Sequence, residues 1–255
     1  MKEVKNMLVI LVAVVICFCV SVKAEENEVY FVSSNGVELT KKEYDFFVKI
    51  YTEETVKTLT QEKYDLVTNT LDINNHEIET VIKEDIFYDI APPGLSLYST
   101  YVETTYKKIA ISKDCYSSGV CDMLVTLNWK AQPATKSYDV FGARYSGFTV
   151  LYGDVFTIIG YDTKTMYCAN YKIRSDGHAC HFKLDDTAKI QDVTQSFSVN
   201  NGGTVYASYQ HAQSNISLEN AQKYYFDLGG LGYVFKFYDQ AFNVYDGMPG
   251  VWLDI

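Results

Sequence analysis

Hydrophobic and polar positions alternate most clearly in the stretch from residue 204 to residue 212. One set of alternate positions is largely apolar, whereas the other carries hydroxyl, amide and phenol groups. Successive side chains of a strand point to opposite faces, so we predict a strand with one face in the core and the other in solvent. The core face would hold Val205, Ala207, Tyr209 and His211, and the solvated face Thr204, Tyr206, Ser208 and Gln210.

Tyr233, Phe235 and Phe237 alternate in the same way after a Gly-Gly-Leu-Gly run. We predict that they form a second strand of the same central sheet. A further regular run places Met123, Val125, Leu127 and Trp129 against Leu124, Thr126 and Asn128.

Short runs of this kind recur after residue 98, and turn residues separate them. The runs 166–173 and 179–184, for example, flank Ser175-Asp176-Gly177, which is a hairpin signal. Evenly spaced short strands are typical of a sandwich or a barrel, and the pattern alone does not separate the two. The predicted fold class is mainly β, an antiparallel β-sandwich of jelly-roll-like type preceded by a small helical module.

The helical module is predicted because the spacing of hydrophobic residues changes near residue 40 from that of a strand to that of a helix. Thr40 and Glu43 form a capping box, and Tyr44, Phe47, Val48 and Tyr51 fall on one helix face. The motif LTKKEYD at residue 39 returns as LTQEKYD at residue 59, which predicts a second, shorter helix.

Three segments are predicted from these patterns. Residues 1–24 carry lysines, an apolar run and small residues before position 25, which is the pattern of a secretory signal peptide. The breaker Ala91-Pro92-Pro93-Gly94 marks a boundary. Residues 25–94 would form the N-terminal helical module and linker, and residues 95–255 the β-sandwich domain.

The charge of the chain limits its partners. Its formal net charge is −10 and Lys and Arg are not clustered, so nucleic acid is not an expected partner. No second apolar segment is long enough to cross a membrane, so no membrane association is expected once the signal is cleaved. We predict a secreted, extracellular protein, and the sequence indicates no oligomeric state.

Four cysteines remain beyond the predicted signal peptide, and an even number in an exported protein indicates disulfides. Three connectivities are possible. The two local pairings, Cys115–Cys121 and Cys168–Cys180, are favoured because the first closes a turn and the second ties a hairpin.

Cys168, Cys180, His178 and His181 carry ligand types that suit zinc. Strand alternation places His178 and Cys180 on one face and His181 on the other, so we predict a disulfide with two surface histidines and no metal. His76 lies in DINNHEIE, which resembles the start of a calcium loop but lacks the required glycine. It is predicted to lie in a solvated helix or loop, and no cofactor is expected.

Catalytic motifs are missing from the sequence. It contains no Gly-x-Ser-x-Gly elbow and no His-Glu-x-x-His motif, so no catalytic residue is assigned. A glycosidase would need two carboxyl groups across a groove, and the sequence does not show which of its acids would pair. The available acids are Asp185, Asp186, Asp227, Asp239 and Asp246.

Tyrosine is unusually frequent, with 22 residues in the chain. Aromatic faces with polar rims hold sugars or proteins, although tyrosine also fills half-buried sheet faces. The candidate ligand-binding residues are Trp129, Tyr206, Tyr209, Tyr233 and His211, with His211 interpreted mainly as a histidine at the edge of the core.

Two stretches, NGVELTKKEYDFF from Asn35 and YASYQHA from Tyr206, resemble segments of uncharacterised secreted proteins of Gram-positive bacteria. The resemblance brings no known activity and implies no functional residue.

The favoured function is therefore a secreted, non-enzymatic binding module for glycan or protein at the cell surface. The alternatives are a secreted glycan-active hydrolase that uses paired carboxylates, and an envelope structural or interaction protein that uses its helical module. An exposed apolar helix face from Tyr44 to Tyr51 would favour the last of these.

Overall fold

A computed structural model describes residues 28–90, 101–129, 135–147, 155–161, 164–185, 187, 191–200, 202–212, 214–226, 235–237 and 245–255. Within these ranges, side chains are described except at 84–90, 101–107, 235–237 and 245–250. The predicted signal peptide lies outside the described residues. No helix within them is long and apolar enough to span a bilayer.

Four helices and fifteen strands make up the described part of the chain. The helices are α1 (Lys41–Ile50), α2 (Glu53–Lys57), α3 (Gln61–Thr70) and α4 (Leu218–Ala221). The strands are β1 (Phe31–Val32), β2 (Glu38–Leu39), β3 (Glu79–Ile90), β4 (Tyr101–Cys115), β5 (Val120–Trp129), β6 (Tyr138–Ser146), β7 (Phe156–Tyr161), β8 (Thr165–Tyr167), β9 (Asn170–Arg174), β10 (Gly177–Lys183), β11 (Gln191–Asn200), β12 (Thr204–Ala212), β13 (Tyr224–Phe226), β14 (Phe235–Phe237) and β15 (Tyr245–Asp254).

Two antiparallel sheets face each other. One has the order β3-β4-β5-β11-β7-β8 and the other the order β15-β12-β6-β10-β9. The largest apolar cluster draws its side chains from both sheets and fills the space between them. The predicted fold class is confirmed as an antiparallel β-sandwich preceded by helices, and the two distinct sheets favour a sandwich over a barrel.

The alternation predicted along β5 is present, but both of its faces are buried. Val125, Leu127 and Trp129 belong to the core between the sheets. Leu124 instead packs with the apolar residues of the helices, and Asn128 donates a hydrogen bond to the carbonyl of Ile50. The helical module therefore covers the outer face of the six-stranded sheet.

Helix α1 begins as predicted. The Thr40 hydroxyl accepts from the backbone N–H of Glu43, and the Glu43 carboxylate accepts from the backbone N–H of Thr40. Phe47 and Tyr51 are fully buried, so this helix face packs against the sheet and is not the exposed surface considered above. The repeat at residue 59 forms α3, and the short helix α2 between them was not predicted.

Strand β12 confirms one predicted face and corrects the other. Val205, Ala207 and Tyr209 lie in the core between the sheets, as expected. Ser208 and Gln210, predicted to meet solvent, are buried. The reason is that Tyr224 and Phe226 of β13 pack on the outer side of the five-stranded sheet, which a pattern confined to β12 does not reveal.

The strand predicted at residues 233–237 does not join the central sheet. Its described part, β14, pairs with β13 in a separate two-stranded sheet, and Tyr233 lies outside the described residues. The run predicted as one strand at 166–173 is also divided, because the chain passes from β8 in one sheet to β9 in the other.

The predicted boundary at residues 91–94 lies outside the described residues and stays a prediction. On either side of it, β3 pairs with β4 from Glu79 opposite Lys113 to Ile90 opposite Tyr101, with one irregularity between Phe87 and Tyr88. The acidic stretch that forms β3 was not predicted to be a strand.

Candidate functional site

The two disulfides are the local pairs that the sequence favours, Cys115–Cys121 and Cys168–Cys180. Cys115 and Cys121 lie directly opposite each other in the β4–β5 hairpin. Cys168 lies between β8 and β9, so its bond to Cys180 fastens this corner to β10. Two disulfides fit a protein of an oxidising, extracellular compartment.

His178 lies on the core side of β10 and is fully buried. Its Nε2 lies 3.1 Å from Oε1 of Gln195, and its Nδ1 contacts the hydroxyl of Tyr145. Burial lowers the pKa of His178 to about 4, so the ring is neutral at pH 7. A neutral ring that donates from Nε2 accepts the Tyr145 hydroxyl at Nδ1.

His181 lies on the opposite face of β10, as the alternation predicts. Its Nδ1 donates to the carbonyl of Asn170 at 2.9 Å, and its Nε2 accepts from the hydroxyl of Tyr224 at 2.9 Å. Burial again lowers its pKa to about 4. The prediction of two surface histidines is wrong, because the sandwich core covers one face of β10 and β13 covers the other. The described residues contain no group of three or more His, Cys, Asp or Glu able to hold a metal ion.

Three of the predicted ligand-binding residues lie together inside the sandwich. Trp129 is 2% exposed and Tyr209 and His211 are fully buried. The Asp139 carboxylate accepts from the Tyr209 hydroxyl, from Nδ1 of His211 at 2.9 Å and from the backbone N–H of Ala212 at 2.8 Å. The rings of Trp129 and Tyr209 are nearly perpendicular, with centroids 5.0 Å apart. A ligand would have to separate the sheets to reach this cluster, and its role in binding stays a prediction.

The other two candidates lie elsewhere. Tyr206 is half-buried on the outer face of the five-stranded sheet, where the guanidinium of Arg144 stacks 3.9 Å from its ring centroid. Tyr233 lies outside the described residues. The structure therefore does not unite the five candidates in one surface within the residues it describes.

The described residues give little support to the hypothesis of a hydrolase that uses paired carboxylates. Asp185 accepts hydrogen bonds from the backbone N–H and the hydroxyl of Thr187, which is the arrangement of a turn. Asp186, Asp227 and Asp239 lie outside the described residues, and so does the side chain of Asp246.

A polar cleft of about 420 Å³ lies where the loop after α3 meets the β4–β5 hairpin. Nδ1 of His76 is 2.7 Å from Oδ1 of Asp114, whose other oxygen accepts from the backbone N–H of Asp72 at 2.9 Å. Asp114 is buried, whereas His76 is 39% exposed. The sequence drew attention to His76, but its partner lies 38 positions away and no local pattern points to it. The buried carboxylate orients the imidazole, and no described nucleophile is hydrogen-bonded to it.

Exposed apolar side chains occur on the neighbouring edge strands of the two sheets, β8 and β9, and on β7 beside β8. Ten large apolar side chains of the described residues are exposed, and four of them lie here. We call them the edge surface: Phe156 (43% exposed), Met166 (49%), Tyr167 (59%) and Ile173 (37%). The rings of Phe156 and Tyr167 are in contact, with centroids 5.2 Å apart and planes inclined by 57°. The sequence analysis missed this surface, because four residues on three strands share no local period.

Comparison with solved structures gives distant matches. No protein-family model and no curated protein matches the chain. Among solved structures, the pilus protein RrgB of Streptococcus pneumoniae aligns at 11% identity over 54% of this chain and 24% of that chain, with a TM-score of 0.33. The collagen-binding subdomain ACE19 of the Enterococcus faecalis surface protein ACE aligns at 13% identity over 39% of this chain and 82% of that one, with a TM-score of 0.30. Likeness at these TM-scores supports no inference about this chain.

Proposed function

We propose that the protein is an extracellular, non-enzymatic module that binds another protein at the edge surface. The observation that carries the proposal is the contact between the exposed rings of Phe156 and Tyr167, with Met166 exposed next to Tyr167 on β8 and Ile173 exposed on the following strand, β9. Contiguous exposed apolar side chains on a folded domain mark interaction sites. The two disulfides fit the extracellular location.

The geometry of the edge surface favours a protein over a glycan. Sugar rings stack best on a flat aromatic face, whereas the planes of Phe156 and Tyr167 are inclined by 57°. Sheet edges such as β8 and β9 also offer backbone donors and acceptors, which extended peptides use.

The alternative functions have weaker support. A carboxylate hydrolase needs a pair of acids facing a groove, whereas Asp185 is engaged by Thr187. The α1 face that holds Phe47 and Tyr51 is fully buried and is not available to a partner. The module does expose apolar side chains at Val29, Tyr30 and Val32, which precede its helices.

The test is a selection from a random-peptide display library against the exported protein, with a glycan array probed in parallel. Phe156→Ser together with Tyr167→Ser removes the aromatic part of the edge surface. The control is Trp252→Ser, because Trp252 is 48% exposed on β15. Thermal unfolding of each variant verifies that it is folded.

We expect selected peptides to lose about tenfold or more in affinity for the double variant and to bind the Trp252 variant normally, since truncated aromatic anchors dominate such losses. Peptides that bind the double variant as well as they bind the wild type would contradict the proposal. Binding to glycans alone would contradict it too.

A further inference from the structure

The segment that builds the edge surface is basic, although the protein as a whole is acidic. Residues 164–174 contain Lys164, Lys172 and Arg174 and no Asp or Glu, whereas the chain has a formal net charge of −10. The segment itself therefore carries a formal charge of opposite sign to that of the whole chain. Two acids from other elements lie beside it: Glu62, whose carboxylate accepts from the Thr165 hydroxyl, and Asp185 near Lys164.

Two of these three cations are available to a partner. Arg174 is exposed, and none of the described carboxylates lies within ion-pair distance of it. Lys164 is 59% exposed, and its Nζ lies 4.0 Å from Asp185, a weak pair at the surface. Lys172 is engaged within the fold, because its Nζ donates to the carbonyls of Gln222 and Tyr224.

Strand β9 provides the backbone part of the site. It is the last strand of the five-stranded sheet and, within the described ranges, pairs only with β10. An added strand would thus find unpaired backbone groups beside Ile173 and Arg174. The Cys168–Cys180 bond holds the start of β9 in place, and a preformed edge reduces the entropy lost on binding.

We infer that the partner presents an acidic, extended segment and that this segment adds to β9 as a further strand. The inference rests on the proposed function and specifies the chemistry of the partner. On β9 itself, an acidic side chain would meet Arg174 and an apolar side chain would meet Ile173. A segment that extends beyond the start of β9 would reach Tyr167, Met166 and Lys164 at the edge of the other sheet. A second copy of the same edge is disfavoured, because pairing β9 with itself brings two basic segments together.

The test uses synthetic peptides and fluorescence anisotropy. The probe is a fluorescently labelled seven-residue peptide of alternating Val and Glu. Its comparisons are peptides with Gln or Lys in place of Glu, and an acidic peptide N-methylated at alternate residues so that it cannot donate to an edge. Lys164→Glu with Arg174→Glu reverses the charge of the site. Lys41→Glu with Lys57→Glu is the matched control, since both lysines are exposed on the helical module.

We expect the acidic peptide to bind best, with about tenfold loss in the site variant, a similar loss on N-methylation and weakening at high salt. The control variant should bind like the wild type. Equal binding of the acidic and Gln peptides, or unchanged binding by the site variant, would overturn the inference. If the acidic peptide fails while library peptides still depend on Phe156 and Tyr167, the inference falls and the proposed function stands. If neither binds, both fall.

Discussion

Lys63 and Asp192 form an ion pair in the interior, with Nζ 2.5 Å from Oδ2 and side chains only 2% and 1% exposed. The pair joins α3 of the helical module to β11 of the six-stranded sheet. Nearby, the Tyr51 hydroxyl bonds that of Thr194 on the same strand at 2.6 Å. The module and the sheet are therefore joined by specific polar contacts as well as by apolar packing.

Lys63→Met should destabilise the protein by about 3–5 kcal/mol, because it leaves the buried Asp192 carboxylate without its counter-charge. Urea unfolding followed by circular dichroism measures the loss. Replacing both partners, as Lys63→Met with Asp192→Leu, should cost less than the sum of the two single changes. The exposed Lys57–Glu54 pair is the control, and Lys57→Ala should cost at most about 0.5 kcal/mol. A loss below about 1 kcal/mol in Lys63→Met would show that the pair is not desolvated as described.

Gly160→Ala should destabilise the protein by about 1–3 kcal/mol. Gly160 lies opposite Asp192 in the β7–β11 pairing. A Cβ there would meet Nζ of Lys63 first and would lie 2.6 and 2.7 Å from the carboxylate oxygens of Asp192. Thermal unfolding measures the effect. In a protein that already carries Lys63→Met and Asp192→Leu, Gly160→Ala should lower the free energy of unfolding by a different amount, since the new methyl group meets different atoms. If Gly160→Ala lowers the free energy of unfolding equally in both backgrounds, the predicted contact with Asp192 is contradicted.

Local patterns predict the parts of this fold whose cause is local. The capping box at Thr40 and Glu43 and the core face of β12 were both evident, because each depends on residues a few positions apart. The burial of Ser208 and Gln210 could not be predicted locally, since it depends on β13 further along the chain. The His76–Asp114 pair and the edge surface were missed for the same reason, as tertiary contacts alone bring their members together.

Stability should fall as the pH drops from about 6.5 to about 4. The pKa of His178 is lowered from 6.5 to about 4 in the folded protein, so the unfolded chain takes up its proton first and acid favours unfolding. The contribution of neutral His178 to the free energy of unfolding is fully present above pH 6.5. At pH 4 at most about 3 kcal/mol of it is lost. His181 acts in the same direction. Urea unfolding at several pH values measures how steeply the free energy of unfolding falls with decreasing pH. This dependence should be weaker in His178→Gln. Parallel slopes in the two proteins would contradict the assignment.

The two disulfides should differ modestly in their effects. The pairs are separated by 12 and 6 positions, so loop entropy predicts losses of about 3 kcal/mol for Cys168→Ala with Cys180→Ala and about 2 kcal/mol for Cys115→Ala with Cys121→Ala. Denaturant titration of the two double variants gives both values. A larger loss for the shorter loop would show that loop entropy does not set the order.

Tyr209→Phe should lower stability by about 1–3 kcal/mol and leave peptide binding unchanged. The change removes the hydroxyl that donates to the buried Asp139 carboxylate, and a buried acceptor that loses a donor is costly. Unfolding and peptide anisotropy are measured on the same preparation. Loss of binding without loss of stability would instead support Tyr209 as a ligand-binding residue.

The Cys168–Cys180 bond also determines how the molecule would respond to pulling. The chain from Cys168 runs through β9, turns and returns along β10 to Cys180, so the bond closes a covalent loop around most of that hairpin. Tension applied along β9 would pass through sulfur into β10 and from there across the five-stranded sheet. Breaking the β9–β10 hydrogen bonds one at a time would therefore not extend the chain within this loop. The edge of the sheet would unfold only when the whole hairpin detached from β6.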